Sequence, residues 1–418
     1  MTISKSPQEA YVWIWLPQTT QPVVAGKLTQ HSQKFCFNYG KSYLERDNAI
    51  ALYDKELPLR TGLIYPQNEL VIPNCIRDAS PDAWGRRVIL NRHYGHKSMQ
   101  LDTLQMGELS YLLESGSDRI GALDFQSSGI DYNPRGSINV NLDELLESAL
   151  RVEQGVPLTP ELDQALFHGT SVGGARPKAF IEYDQKKYIA KFSSSSDVYS
   201  LVKLEFIAMR LAHLAGLNVA VVKLVRAAHK HVLLIERFDR VQTTTGWQRR
   251  SMLSALTLLE LDEMMARYAS YEQFAQIIRY RFEDPTGNLT ELFSRLVFNI
   301  LISNTDDHAR NHAAFWDGKT FSLTPAYDLC PQNRTGFTAS QAMLITGQDR
   351  RSRLASCLTS AHHFLLSQAE ARAIIEHQIH TIRTHWDEVC NLAQLSEIEK
   401  NLFWERQFLN PYAFTDFS

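Results

Sequence analysis

Three oxygen-bearing side chains stand close together in Asn304–Asp328, NTDDHARNHAAFWDGKTFSLTPAYD: Asp306, Asn311 five residues later, and Asp328 at the end. The order D-x-x-x-x-N supplies a carboxylate that can accept a proton and an amide oxygen that can hold a metal. A second carboxylate returned beside that amide makes a hard-oxygen pair suited to Mg²⁺ and substrate phosphates. The chemistry implied is magnesium-dependent phosphoryl transfer, with Asp306 orienting or deprotonating an acceptor hydroxyl. The same residue types also cap backbone groups in ordinary loops, so the elements around them carry the argument.

Those elements are readable. Leu292, Phe293, Leu296, Val297, Ile300 and Leu301 repeat at helical spacing through ELFSRLVFNILI, which predicts a buried helix leading into the loop. Ala-Ala-Phe-Trp, Asp317-Gly318 and Lys-Thr-Phe-Ser-Leu read as a hairpin with an Asp-Gly turn, which should return Asp328 to the side of Asn311. Upstream, Ser171-Val172-Gly173-Gly174-Ala175-Arg176-Pro177-Lys178 precedes AFIEYDQKKYIAKF, two alternating strands around Asp184-Gln185. Glycines before a strand let backbone N–H groups approach phosphate oxygens, although Gly-Gly also makes an ordinary tight turn. Lys191, flanked by apolar residues in YIAKF, is placed to reach such phosphates. Glu205, inside the helical pattern LVKLEFIAMRLAHL that Gly216 stops, is either its partner or a surface residue. HVLLIERFDR ends in Glu236-Arg237-Phe238-Asp239, a strand end that could offer backbone groups to an adenine edge or simply hold an Arg–Asp pair.

Composition sets the outer limits. The chain has 418 residues, 44% hydrophobic and 21% charged, enough for two or three domains with a substantial core. A net charge of -3 excludes the basic footprint of an autonomous nucleic-acid binder. Five cysteines without CxxC spacing argue against a disulfide framework or a cysteine metal site and for a reducing, cytoplasmic setting. No signal-like start and no long apolar run is present, so no membrane segment is expected. Tyr11 to about Arg92 is strand-like in pattern and closes with a helix, for which Ser80-Pro81 offers a cap and first turn and Trp84, Val88 and Ile89 a stripe. Arg86-Arg87 reads as a solvated face. QSSGIDYNPRG reads as a linker or long loop, LDELLESALRVEQG and the segment opened by Thr159-Pro160-Glu161 as helices, and the chain after about Asp349 as mostly helical. The basic run Asp349-Arg-Arg-Ser-Arg353 reads as a solvated face rather than a DNA contact.

SVGGARPKAF, YIAKF, LLIERFDR, NTDDHARN and TPAYDL, in that order and with SPDAWGRR ahead of them, resemble the HipA family of bacterial serine/threonine kinases, the toxin halves of toxin–antitoxin pairs. The resemblance covers nearly the whole chain. It implies an α+β, protein-kinase-like bilobal fold with a β-rich N-terminal subdomain (1–125), an N-lobe with glycine-rich loop and connector (126–240) and a large α-helical C-lobe (241–418). It implies that residues Ser171 to Lys178 cover ATP, that Lys191 contacts its phosphates, and that Glu236, Arg237, Phe238 and Asp239 form the adenine-binding connector. Asp306 is then the catalytic carboxylate, His308, Asn311, Tyr327 and Asp328 contact nucleotide, and Asn311 and Asp328 hold Mg²⁺. Ser171 matches the serine whose autophosphorylation ejects the loop. The partners implied are a protein substrate of the translation machinery, commonly an aminoacyl-tRNA synthetase, and a small helix-turn-helix antitoxin through which DNA is met indirectly. RRSMLSALTLLELDE stands where the family pattern has a Gln-Glu-Asp-rich stretch, which bears on the protein substrate. Two other readings remain: a small-molecule or lipid kinase, because D-x-H-x-x-N also fits those loops, and a catalytically silent scaffold binding an antitoxin or DNA.

Overall fold

The computed structural model describes residues 7–95, 106–136, 141–159, 162, 166, 176–194, 199–228, 230–334 and 336–417. The chain divides into two compact units, one made of Met1–Val198, Val225–Leu253 and Trp316–Lys319, the other of Tyr199–Leu224, Ser254–Phe315 and Thr320–Ser418.

In the first unit, β1 (Glu9–Ile14), β2 (Val23–His31), β3 (Lys34–Tyr39) and β4 (Leu123–Gln126) form an antiparallel sheet in the order β3-β2-β1-β4. Gly26 is required there, because a Cβ would lie 2.2 Å from the Asn38 carbonyl oxygen on the next strand. The helix α1 (Ala83–Tyr94) buries Trp84, Val88 and Ile89 as the stripe predicted. It starts later than Ser80-Pro81 suggested: Asp82 is the N-cap, and Ser80 is buried just outside the helix. Arg86 is not a solvated face residue either. Its guanidinium is 2.7 Å from Glu108 and lies over the Tyr111 ring. The segment after β4 is a loop, but a tethered one: Tyr132 packs against Trp13 and Trp15 and donates to Asp124.

A second sheet in this unit carries β5 (Lys178–Tyr183), β6 (Lys186–Phe192), β7 (Val222–Ala227) and β8 (Lys230–Glu236) in the order β5-β6-β8-β7, with the Val225–Ala227 end of β7 inside the unit. Asp184 and Gln185 both take positive φ (51° and 56°), the conformation a two-residue hairpin turn needs. One sheet face is core: Ala179, Tyr188, Ala190, Phe192, Val232 and Leu234 pack with Trp84 and with α2 (Leu142–Glu153). Trp84 Nε1 donates to the Lys178 carbonyl at 2.9 Å, so the α1 stripe also fixes the start of β5.

The second unit is mainly helical. Helix α3 (Leu201–Leu214) ends where Gly216 takes φ +83°. Then come α4 (Tyr271–Arg281) and α5 (Pro285–Leu301), and α6 (Gln368–Leu392) opens on a capping box between Ser367 and Glu370. In α5, Asp284 caps Gly287 N–H at 3.0 Å with Pro285 in the first turn, and the six apolar residues read from the sequence are fully buried. α5 packs against α4 and α6, and Gln378 reaches from α6 to the Ser294 carbonyl. Strands Ala313–Trp316 and Phe321–Leu323 form the expected hairpin, with Gly318 at φ +98° in its turn, the segment Trp316–Lys319 being counted with the first unit. All five cysteines are free thiols, and no helix among the described residues is long and apolar enough to cross a membrane.

Glu56, only 3% exposed, accepts from the Asn74 and Cys75 N–H groups at 3.1 and 2.8 Å. Burial pushes its carboxyl from 4.5 up to about 7, partly opposed by those donors. A raised carboxyl favours the protonated folded state, so this stability is fully present below about pH 4.5 and lost as pH rises through about 7. We expect up to about 3 kcal/mol of that loss in urea midpoints measured across the range, and Glu56→Gln, which cannot ionise, should flatten the profile.

Candidate active site

The loop after α5 is built from its own helix. Asn304 N–H donates to the Asn299 carbonyl at 2.8 Å and its side-chain amide to Asn299 Oδ1 at 2.9 Å. From there the two adjacent aspartates separate. Asp306 is exposed, whereas Asp307 is 1% exposed. Tyr271 Oη donates to Asp307 Oδ2, and His312 Nε2 lies 2.9 Å from Oδ1. Burial first, and then the charge of Asp307, hold the Tyr271 phenol well above its usual range, so it stays a donor. Asn311, 9% exposed, donates through its amide nitrogen to the Asp306 carbonyl at 3.2 Å, which turns its Oδ1 the other way. His308 Nδ1 is buried and meets no hydrogen-bond partner among the described residues.

The hairpin brings the chain back to this loop. Tyr327 Oη donates to the Arg310 carbonyl at 2.8 Å, and the Asn304 amide reaches the Asp328 carbonyl at 3.4 Å. Asp328 takes φ +59°, a left-handed conformation that Asp and Asn adopt more readily than most residues. Although part of the residue is exposed, the loop around it partly desolvates the Asp306 carboxyl and raises it above its ordinary value; His308 opposes this, and the charges of Asp328 and Asp307 add to it. Carboxylate and amide oxygens are the donors a hard divalent cation prefers. Asn311 and Asp328 therefore fit Mg²⁺, which would also offset the mutual repulsion. Among the described residues no group of three His, Cys, Asp or Glu side chains is arranged to hold a metal ion.

In the first unit, Lys178 and Lys191 are direct cross-strand partners, so their side chains leave the same face of the β5–β6 pair. Next to them on that face lie Phe180 opposite Ile189 and Ile189 opposite Ile235, with the Arg237 guanidinium over the Phe180 ring and the pair Glu182–Lys187 further along. Two ammonium groups at the edge of an apolar strip suit an anion attached to a flat apolar body. The connector holds an ion network that its sequence only hinted at. Arg237 and Arg240 reach both Asp118 and Asp239 at 2.8 to 3.0 Å, and Gly121 N–H also donates to Asp239. Burial acts against the charges of both carboxylates, yet the arginines hold them below the usual range. Glu236 pairs with Lys186 at 2.8 Å. The side chains of Glu236, Arg237 and Asp239 are thus engaged within the unit, and Arg237 N–H donates to the Lys187 carbonyl. Phe238 is half-buried beside them.

Ser171, Val172, Gly173, Gly174 and Ala175 lie outside the described residues; Arg176 is exposed and Pro177 buried at the entry to β5. Glu205 is 4% exposed, which removes the surface-residue reading. In the run 349–353, Arg351 pairs with Asp349, Arg353 with Asp416, and Arg350 reaches the Arg267 carbonyl. Sequence reasoning singled out none of Asp118, Arg240, Tyr271 or His312. The repeated D-D-H…N-H pattern could have flagged His312, but Tyr271 has no local signal.

Because Asp328 sits at positive φ, the choice of substitution decides whether chemistry or folding is perturbed. Asp328→Asn should keep denaturation midpoints close to wild type, whereas Asp328→Ala should lose a further 1–2 kcal/mol or so from backbone strain, read by chemical denaturation without ligands.

Residues 170–386 match the family model described as HipA-like C-terminal domain, and residues 14–126 the one described as HipA N-terminal domain. The serine/threonine-protein kinase toxin HipA of Shewanella oneidensis is 28% identical over 189 residues, 38% of this chain and 42% of that protein. A putative kinase of Haemophilus influenzae is 27% identical over 179 residues, 38% of this chain and 52% of that protein. The chain thus spans about half or less of these curated relatives. A chain from the solved complex of Shewanella oneidensis MR-1 HipA, HipB and operator DNA superposes with a TM-score of 0.66 at 19% identity, over 94% of this chain and 93% of that one, which shows a common fold. The C-terminal model alone takes in just over half of the 418 residues, and with it the kinase-like α+β architecture built up above is that of the HipA family, to which this chain belongs.

Proposed function

We propose that this chain is a Mg-ATP-dependent serine/threonine protein kinase and the toxin of a HipA-type toxin–antitoxin pair. The observation that carries the reading is the loop geometry: an exposed Asp306 carboxylate, Asn311 bound to the carbonyl of that same residue, and Asp328 within electrostatic reach. Asp306 accepts a hydrogen bond from the acceptor hydroxyl and orients its oxygen toward the γ-phosphorus. As the new O–P bond forms and the β,γ-bridging P–O bond breaks, the hydroxyl proton passes to Asp306 and ADP leaves. Asn311 and Asp328 would hold Mg²⁺, which would supply charge neutralisation for the phosphates. Lys191, with Lys178 beside it, is assigned to ATP phosphates, and Ile189 and Ile235 on the same face to the base. The connector 236–239 contributes through backbone and Phe238, since its charged side chains are engaged elsewhere. His308 and Tyr327 complete the nucleotide contacts.

The division into an N-terminal subdomain (1–125), N-lobe (126–240) and C-lobe (241–418) goes with this assignment. So does autophosphorylation at Ser171, where a phosphate would set like charge against bound ATP. The Shewanella oneidensis complex contains HipB and operator DNA; by analogy this chain meets a small helix-turn-helix antitoxin, and DNA through it. Its protein substrate is assigned to the translation machinery and its site of action to the cytoplasm.

Purified protein with labelled ATP, Mg²⁺ and cell lysate should transfer label to protein serine or threonine, and Asp306→Gln should lower transfer at least roughly 1000-fold while leaving the fold intact. Label confined to lipid or small molecules overturns the protein-kinase reading, and full activity in the variant overturns the role of Asp306.

A further inference from the structure

Next to the proposed catalytic carboxylate lies a second one that cannot reach a substrate. Asp307, His312 and Tyr271 are 1%, 2% and 0% exposed. The carboxylate is gripped on both oxygens, by Tyr271 Oη on Oδ2 and by His312 Nε2 at 2.9 Å on Oδ1, and the two gripping groups are themselves 3.2 Å apart. The imidazole is held edge-on to the Tyr271 ring at 5.4 Å, with Phe274 also beside it at 6.2 Å. The Asp307 contact selects the tautomer with hydrogen on Nε2, and Nδ1 has no partner among the described residues. The grip comes from both sides of the loop. Tyr271 begins α4, where its N–H is anchored to the Leu344 carbonyl, while His312 follows Asn311 directly and its carbonyl accepts from Ala255 N–H.

We infer that Asp307, clamped by Tyr271 and His312, is a positioning residue that fixes the loop so that Asp306 is presented outward and Asn311 is kept on the Asp306 carbonyl. Asp307 and Asp306 share a peptide bond, and the buried carboxylate cannot rotate without abandoning two partners in a site closed to water. Asp306 itself is exposed, and its carbonyl, on the same peptide, is held by the Asn311 amide at 3.2 Å. Loosening the clamp lets the carboxylate of Asp306 wander from the acceptor, and misplacement by about 1 Å can cost on the order of 100-fold in rate. This role rests on the kinase reading for its effect on rate, but not for its effect on the loop.

Tyr271→Phe removes one hydroxyl and keeps the ring, so it tests the clamp with little change of packing. His312→Ala removes the other arm, and His312→Gln restores a donor near the Nε2 position. Amide hydrogen exchange across 304–312 should speed up at least several-fold in Tyr271→Phe and His312→Ala, with α5 and α6 unchanged, and return toward wild type in His312→Gln. In turnover assays both variants should lose kcat by roughly 10- to 100-fold while KM for ATP stays within about twofold, a split that general loss of stability would not produce. Unchanged exchange in the loop overturns the inference, as does unaltered kcat despite faster exchange in an active enzyme. A wild-type protein that transfers no phosphate would instead remove the kinase reading, and the exchange measurement then decides the clamp alone.

Discussion

A carboxylate removed from water must be matched by hydrogen-bond donors, and the candidate active site depends on one place where this is done. Asp307 is buried and held by Tyr271 and His312. The neighbouring Asp306 is exposed, although it has the same side chain and the same local sequence. The difference between the two residues is wholly tertiary: one has α4 and the imidazole of His312 against it, and the other faces outward. The rest of the loop follows from the same anchoring, since α5 fixes its start through Asn299 and Asn304, and Asn304 passes the constraint on to the Asp328 carbonyl.

A comparable solution is found in the first unit, on a larger scale. Asp118 and Asp239 are surrounded by Arg237 and Arg240, all nearly inaccessible apart from the partly exposed Asp118. Networks like this contribute little net stability compared with an apolar core of the same volume, because desolvation offsets most of the attraction. Deleting one member is another matter, for it strands a buried charge. The arrangement therefore acts as a strict geometric requirement: the end of β8 and the loop around Asp118 to Gly121 adopt one relation or none. In the β4 region Asp124 does the same with Arg119 and Arg135.

What the sequence disclosed and what it withheld divide along this line. Periodicity reports whether a residue faces the core of its own element, which is why α5, the two strands flanking Asp184-Gln185 and the Asp317-Gly318 hairpin were readable with their buried faces. It carries no address for a partner. Tyr271 meets Asp307 across 36 positions and Arg237 meets Asp118 across 119, so neither pairing leaves a local trace. The start of α1 was misread for a different reason: Ser80-Pro81 and Asp82 are all good helix-opening residues, and only the backbone distinguishes which of them caps. For the connector, an Arg–Asp pair and a nucleotide contact were both open, and the packing favours the pair for the side chains.

The cross-strand pairing of Lys178 with Lys191 has a further implication. Side chains alternate along a strand, so whether both lysines stand on one face is decided by whether the number of residues in the β5–β6 hairpin turn is even or odd. Asp184 and Gln185 work as a parity device. Drift in the lineage can replace either of them by residues tolerant of positive φ, but gaining or losing one residue there would slip one strand against the other, setting Lys178 opposite Ala190 or Phe192 and parting the two lysines onto opposite faces. Length, more than chemistry, is what this turn has to conserve.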